Sequence, residues 1–201
     1  MIRIAIVDDH PAVRQGLDIA LRSEPGLAPV GSAQQPEDVP PLLYRTRPDV
    51  VLLDYHLPRR DGLSLCCQIK ADVPSPAVLL YTGYADDSLT VPAVIAGADG
   101  ILSKSTPSPQ LFEAIRLIAK GGTALPPLSA EQLDIAGNAL EAHDLPILGM
   151  LVNRTPRPEI ADTLQLTPDA LRHRISAMLH RLKAPTGLAA EHGLIMDASD
   201  R

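Results

Sequence analysis

The sequence predicts an α/β fold, a doubly wound five-stranded parallel sheet followed by a small all-α helix-turn-helix domain, and three observations carry that expectation. Short apolar runs alternate with amphipathic stretches from residue 1 to about 121, the pattern of repeated βα units. Four of those runs end on polar or charged residues. Beyond residue 139 only helical periodicity remains, with hydroxyl residues and prolines where helices would begin.

The runs Ile2–Val7, Val50–Leu53, 77 to 81 and Gly100–Ser103 are rich in Leu or β-branched residues and bounded by turn or helix-start residues, so they read as buried parallel strands. Residues 27 to 31 form an edge-like fifth strand. Over Pro11–Ser23, Val13, Leu17, Ala20 and Leu21 recur at helical spacing, and Glu24-Pro25-Gly26 ends the helix. The second helix, 36 to 46, contains Pro40-Pro41. An interior proline removes a hydrogen bond and clashes with the preceding turn, so a short or broken helix is expected there. The third follows Asp61-Gly62 and carries Leu63, Leu65, Cys66 and Ile69. The fourth runs from 87 to 96 and the fifth from 108 to 120, before Gly121-Gly122.

Glycine, proline and small residues, with one possible short helix, mark an interdomain linker. The predicted division is 1–122, a linker at 123–138, and a second domain at 139–201. Its helices are Leu145–Val152, 156 to 164, Pro168–Lys183 and 188 to 196. Thr155-Pro156 and Thr167-Pro168 each offer an N-cap hydroxyl and a first-turn proline. The short joint Gln165-Leu166-Thr167 suits a helix-turn-helix.

A hydrophobic fraction of 45% supports a real core, while four Tyr, one Phe and no Trp argue against base-stacking nucleic-acid modules. The net charge of −6 is uneven: residues 1–138 carry 11 Lys and Arg against 16 Asp and Glu, and 139–201 carry 7 against 8. Neither part is globally basic, so contact with nucleic acid requires a local patch. Pro168–Lys183 supplies one, with Arg172, Arg174, Arg181 and Lys183 against the single Asp169, and His173 and His180 besides. Its apolar Leu171, Ile175, Met178, Leu179 and Leu182 fall on one face and leave the other for DNA. Cys66 and Cys67 are adjacent; disulfide geometry is demanding, so they read as reduced core thiols. No charged leader precedes an apolar stretch and no run approaches the ~18 apolar residues of a membrane span. A soluble cytoplasmic protein is expected.

The polar strand ends are the acidic pair Asp8 and Asp9, then Asp54, Thr82 and Lys104. In an open α/β sheet ligands bind beyond the carboxyl ends of the strands, so these residues should converge in one crevice. Three carboxylates repel one another unless a cation sits among them. Hard oxygen ligands point to Mg²⁺, which is held by one or two carboxylates together with waters and phosphate oxygens. Lys104 adds a positive charge and Thr82 a hydroxyl donor. Such a site can stabilise a transferring phosphoryl group, with Asp54 as nucleophile.

The segments VDDHP, DYHLPRRDG, YTG and GADGILSK, in this order and spacing, resemble the receiver domain of bacterial response regulators over residues 1 to 121. The resemblance implies a flavodoxin-like fold in which Asp54 accepts phosphate from a sensor histidine kinase. It further implies that Asp8, Asp9 and Asp54, with the backbone carbonyl of His56, hold Mg²⁺, and that Thr82 and Lys104 contact the phosphoryl group. Ile101 stands at the switch position where the family usually has an aromatic residue. His56 and Tyr84, two residues after Asp54 and Thr82, are expected to border the attacking water. Residues 139 to 201 are similar, more loosely, to the LuxR-type helix-turn-helix output domain of the NarL/FixJ class, through Glu159-Ile160-Ala161, Leu164, Leu166-Thr167 and Leu171-Arg172-His173-Arg174-Ile175. That likeness implies DNA contacts by Arg172, His173, Arg174, Arg181 and Lys183, a homodimer on DNA, and dimerisation through the last helix.

The leading expectation is a phosphorylation-dependent transcription regulator. An aspartyl-phosphate phosphatase would carry a general-acid aspartate two residues after its nucleophile; here Tyr55 and His56 follow Asp54, so at most slow self-phosphorylation and dephosphorylation are expected. The alternative is a phospho-gated adaptor whose degenerate output domain binds protein.

Overall fold

The structure, a computed structural model, describes residues 1–71, 74–83 and 87–183. Tyr84 and the expected helix at 188 to 196 lie outside the described residues. Strands β1 (Ile2–Val7), β2 (Leu27–Ala33) and β3 (Val50–Leu53) belong to the main sheet. Strands β4 (His56–Leu57) and β5 (Arg60–Asp61) form a separate small antiparallel hairpin. Strands β6 (Ala77–Thr82) and β7 (Gly100–Ser103) complete a five-stranded parallel sheet of order β2-β1-β3-β6-β7.

Side chains alternate between the two faces of each strand, as the pleat requires. Ile4, Ile6, Leu52 and Leu79 pack with Leu17 and Leu21 of α1 (Pro11–Ser23) and Leu111 and Ile115 of α5 (Ser108–Ile118). Ala5, Val7, Val51, Leu53 and Leu80 face α2 (Val39–Thr46), α3 (Gly62–Ile69) and α4 (Thr90–Ala96). The expected doubly wound sheet is therefore observed. Cys66 and Cys67 are free, buried thiols in α3, and burial pushes the Cys66 thiol up to about 12.

Pro40 and Pro41 shorten α2 without breaking it. A 3₁₀ turn over Pro36–Asp38 leads into the α-helix at Val39, so both prolines fall in its first turn, where the missing N–H costs no helical bond. Strand β2 runs past the expected residue 31 to Ala33, because a register shift between Ile4 and Ala5 lets it bulge around Pro29 and Gly31 and resume pairing. Proline and a bulge are both at home on an edge strand.

Residues 123 to 138 are docked along the α/β half and do not run free of it. Ala124 forms a parallel bridge to Gly100, extending the sheet edge beyond β7. Helix α6 (Ala130–Ala139) then starts on a reciprocal capping box, in which Ser129 Oγ accepts from Gln132 N at 3.1 Å and Gln132 Oε1 accepts from Ser129 N at 2.8 Å. Helices α7 (Leu145–Val152), α8 (Arg157–Thr163) and α9 (Pro168–Lys183) follow. Helix α8 begins one residue later than the Thr155-Pro156 signal suggests. At α9 Thr167 Oγ1 accepts from Ala170 N at 3.1 Å, the expected cap, and Gln165 turns the chain with φ of 53°. Among the described residues no helix is long and apolar enough to cross a membrane.

Helix α9 packs on α3 and α4 as well as on α8. Its Leu171, Ile175, Met178 and Leu179 belong to the same buried cluster as Leu63, Leu65 and Ile95. The apolar face read from the sequence is thus largely a contact with the α/β half.

Candidate functional site

Strands β1, β3, β6 and β7 end on one side of the sheet, and their parallel register brings Asp8, Asp54, Thr82 and Lys104 together. Asp54 N donates to Val7 O at 2.8 Å, and Lys104 N donates to Thr82 O at 2.8 Å, so each functional residue continues the ladder of the strand before it. Asp8, Asp54 and Thr82 are 2%, 3% and 0% exposed, a burial that carboxylates tolerate only when compensated.

The compensation is Lys104. Its Nζ lies 2.6 Å from Asp8 Oδ2 and 2.8 Å from Asp54 Oδ2, bridging both carboxylates. The remaining oxygens are met by backbone donors: His10 N to Asp8 Oδ1 at 2.8 Å and His56 N to Asp54 Oδ1 at 3.3 Å. Burial alone would lower the Lys104 pKa, but the hydrogen bonds and charges of Asp54 and Asp8 outweigh it and hold the ammonium above the usual lysine value. Tyr81 sits next to this charge cluster. Its hydroxyl donates to Lys104 O at 3.3 Å, and burial holds the phenol above its ordinary value.

Asp9 lies at the outer side. His10 Nδ1 comes within 2.7 Å of Asp9 Oδ1 without forming a hydrogen bond, so that buried oxygen has no donor. One ligand atom from each of Asp8, Asp9, His10 and Asp54 falls within 4.8 Å of the others. A donor set dominated by carboxylate oxygens, one of them lacking a hydrogen-bond partner, fits a hard divalent cation such as Mg²⁺.

The sequence singled out Asp8, Asp9, Asp54, Thr82 and Lys104 for one crevice, and the structure brings them to one place. His56 opens the β4–β5 hairpin directly beyond Asp54. Asp61 closes the hairpin and caps α3, its Oδ1 accepting from Ser64 N at 2.9 Å. Gly62 packs so tightly there that a Cβ would stand 2.3 Å from Asp54 O. Ile101 is 6% exposed in the β7 row facing α4, and its N–H donates to Ala124 O at 3.2 Å.

The expected DNA contacts are distributed differently. Arg172 pairs with Asp169, and Arg174 Nη1 reaches His143 O at 3.4 Å. Arg181 pairs with Glu141 and with the buried Asp144 at 2.8 Å. Lys183 pairs with Asp61 and also reaches Ser64, in the α/β half. His173 borders a shallow groove between α9 and α3 with Arg60 and Arg172. Of the five, Lys183 therefore couples α9 directly to the hairpin after Asp54.

Arg157, which the sequence did not single out, makes a second bridge. Its guanidinium donates to Cys67 O at 3.1 Å and Ala96 O at 2.9 Å, near the carboxyl ends of α3 and α4, where helix dipoles favour a cation. A contact across 90 positions leaves no local signal in the sequence.

Residues 4–116 match the family model described as the response regulator receiver domain. Over an alignment of 213 positions the chain is 32% identical to the response regulator GacA of Pseudomonas protegens, covering 99% of this chain and 100% of the relative. It is 29% identical to the DNA-binding transcriptional activator DevR/DosR of Mycobacterium tuberculosis, over 90% and 88% of the two chains. Among solved structures, a LuxR-family two-component response regulator from Aurantimonas sp. SI85-9A1 aligns at 31% identity and a TM-score of 0.59, over 70% of this chain and 99% of the other. The response regulator ChrA of a heme-sensing two-component system aligns at 27% identity and a TM-score of 0.53, over 90% and 95%.

Proposed function

The chain belongs to the response regulators, and from that membership we propose that Asp54 is a phosphoacceptor whose modification by a sensor histidine kinase governs the helices that follow. The observation that carries this reading is Lys104 Nζ, held between Asp8 and Asp54 at 2.6 and 2.8 Å. In the proposed transfer an Asp54 carboxylate oxygen attacks phosphorus, the phosphorus–nitrogen bond to the kinase imidazole breaks, and the imidazole departs with a proton. Lys104 then exchanges its Asp54 contact for a phosphoryl oxygen, and the Thr82 hydroxyl takes another. Asp8, Asp9, Asp54 and the His56 carbonyl would hold Mg²⁺, which when bound neutralises charge developing on the phosphoryl oxygens. His56 borders the route of a hydrolytic water and tunes the lifetime of the acyl phosphate.

Incubation of the chain with acetyl phosphate and Mg²⁺ is expected to add the mass of one phosphoryl group, and Asp54→Asn to abolish the addition. No gain on the wild type, or equal gain on the variant, overturns the reading.

In the proposed division, residues 1–122 are the receiver, 123–138 the linker and 139–201 the output domain. With Arg172, His173, Arg174, Arg181 and Lys183 on α9, that domain contacts DNA as a homodimer and regulates transcription, a reading supported by the likeness to DevR/DosR, itself a DNA-binding transcriptional activator. A second reading, a phospho-gated adaptor, is favoured by the engagement of Arg172, Arg181 and Lys183 with carboxylates of this same chain. Gel-shift titrations of the phosphorylated chain at several salt concentrations separate the two. Sequence-selective binding supports the regulator, and weak, sequence-blind binding supports the adaptor.

A further inference from the structure

The segment joining the two halves is fastened to the α/β half at two points. At the first, Ala124 N donates to Asp99 O at 2.8 Å and Ile101 N donates to Ala124 O at 3.2 Å, so the linker runs as a partial extra strand beside β7. At the second, Gln132 Nε2 donates to Asp87 O at 2.9 Å. Asp87 lies five residues after Thr82 and opens the 3₁₀ turn Asp87–Leu89 that leads into α4. The same Gln132 side chain accepts from Ser129 N at 2.8 Å and so closes the capping box of α6. Helix α6 in turn packs against both α4 and α9, with Ala136 buried in their common cluster.

We infer that Gln132 is a relay: its amide ties α6 to the Asp87 carbonyl in the resting state, and displacement of the Thr82 connection on phosphorylation breaks that tie and loosens α6 from α4 and α9. The relay rests on the phosphoacceptor reading of Asp54 and adds how its state leaves the α/β half. Ile101 has no hydroxyl with which to report on Thr82. A backbone carbonyl read by a side-chain amide needs none. A contact made in only one of two states shifts their balance by its own strength, and the effect is reciprocal: whatever the pocket does to the tie, the tie does to the pocket.

Gln132→Glu separates the two jobs of the side chain. A carboxylate still accepts from Ser129 N and suits the first turn of a helix, but it cannot donate to Asp87 O. The full chain is titrated with beryllium fluoride in Mg²⁺, as an acyl-phosphate mimic, and amide exchange is followed in α6 and α9. Gln132→Glu is expected to bind the mimic roughly two- to tenfold more tightly, the factor corresponding to one lost restraining hydrogen bond. Before any addition its α6 and α9 amides should exchange at rates the wild type reaches only once the mimic is bound. Ser129→Ala, which breaks the cap and leaves the amide, should speed exchange in the first turn of α6 with affinity unchanged. Equal affinities for wild type and Gln132→Glu overturn the relay, as does equal tightening by Ser129→Ala. A wild type that takes up no mimic removes the phosphoacceptor reading and the relay together; a wild type that binds while Gln132→Glu behaves identically removes the relay alone.

Discussion

At Lys104 a single ammonium answers two nearly buried carboxylates, so its removal leaves Asp8 and Asp54 facing each other across a few ångströms. Breaking a buried ion pair from one side costs about 3–5 kcal/mol. The Lys104 side chain is 20% exposed, which places the expected loss for Lys104→Met toward the low end of that range. Its folded pKa is raised. Its contribution is therefore complete below the ordinary lysine value of about 10.4 and fades as pH climbs through the raised folded value. Urea melts should show a constant gap between wild type and Lys104→Met from neutral to mildly alkaline pH, closing only in strong alkali. A gap that already closes near neutrality would contradict this assignment. The residues of the pocket were legible because each ends an apolar run, and a parallel strand delivers its last residue to the carboxyl edge of the sheet. The bridging position of Lys104 was not legible, since a sequence gives its sign of charge and not its distance from Asp8.

Helix α3 shows how one element serves both halves. Asp61 caps it, Gly62 lets its start press against the Asp54 carbonyl, and Lys183 reaches the same Asp61 from α9. Partial burial works against ionisation of Asp61, yet hydrogen bonds from Lys183 and Ser64 prevail and hold its pKa below the usual carboxylate value. The stability that this carboxylate contributes is present above about pH 3.9 and is lost as pH falls through the depressed folded value. A double-mutant cycle of Asp61→Ala with Lys183→Met is expected to give a coupling of about 0.2–1 kcal/mol, the scale of partly solvated pairs, in addition to about 1 kcal/mol for the lost cap. Additive effects at neutral pH would mean that the pair does not join the halves in solution. Helix starts were readable here from Asp61-Gly62 and Thr167-Pro168, and the double proline of α2 correctly announced a short helix. The capping box of α6 was less visible, because serine and glutamine three residues apart also occur in unstructured linkers.

For the whole molecule the consequential feature is the shared core. Ile175 of α9 is fully buried in the cluster that holds Leu63 and Leu65 of α3. Ile175→Ala should cost about 2–5 kcal/mol. It should also lower the unfolding midpoint of the α/β half and of the C-terminal helices together, read by amide exchange on each. Two separate transitions, with only the C-terminal one moved, would show that the halves fold independently. The order of the strands, the polar strand ends and the amphipathic face of α9 follow from local pattern, because period and chain chemistry act over a few residues. That the face of α9 would be spent largely on α3 and α4, that Arg157 would span two helix ends, and that Gln132 would read the Asp87 carbonyl were decided only by tertiary structure. The Gln132 and Arg157 contacts join positions 45 to 90 apart, where charge, length and apolarity state what a side chain can do and only packing selects its partner.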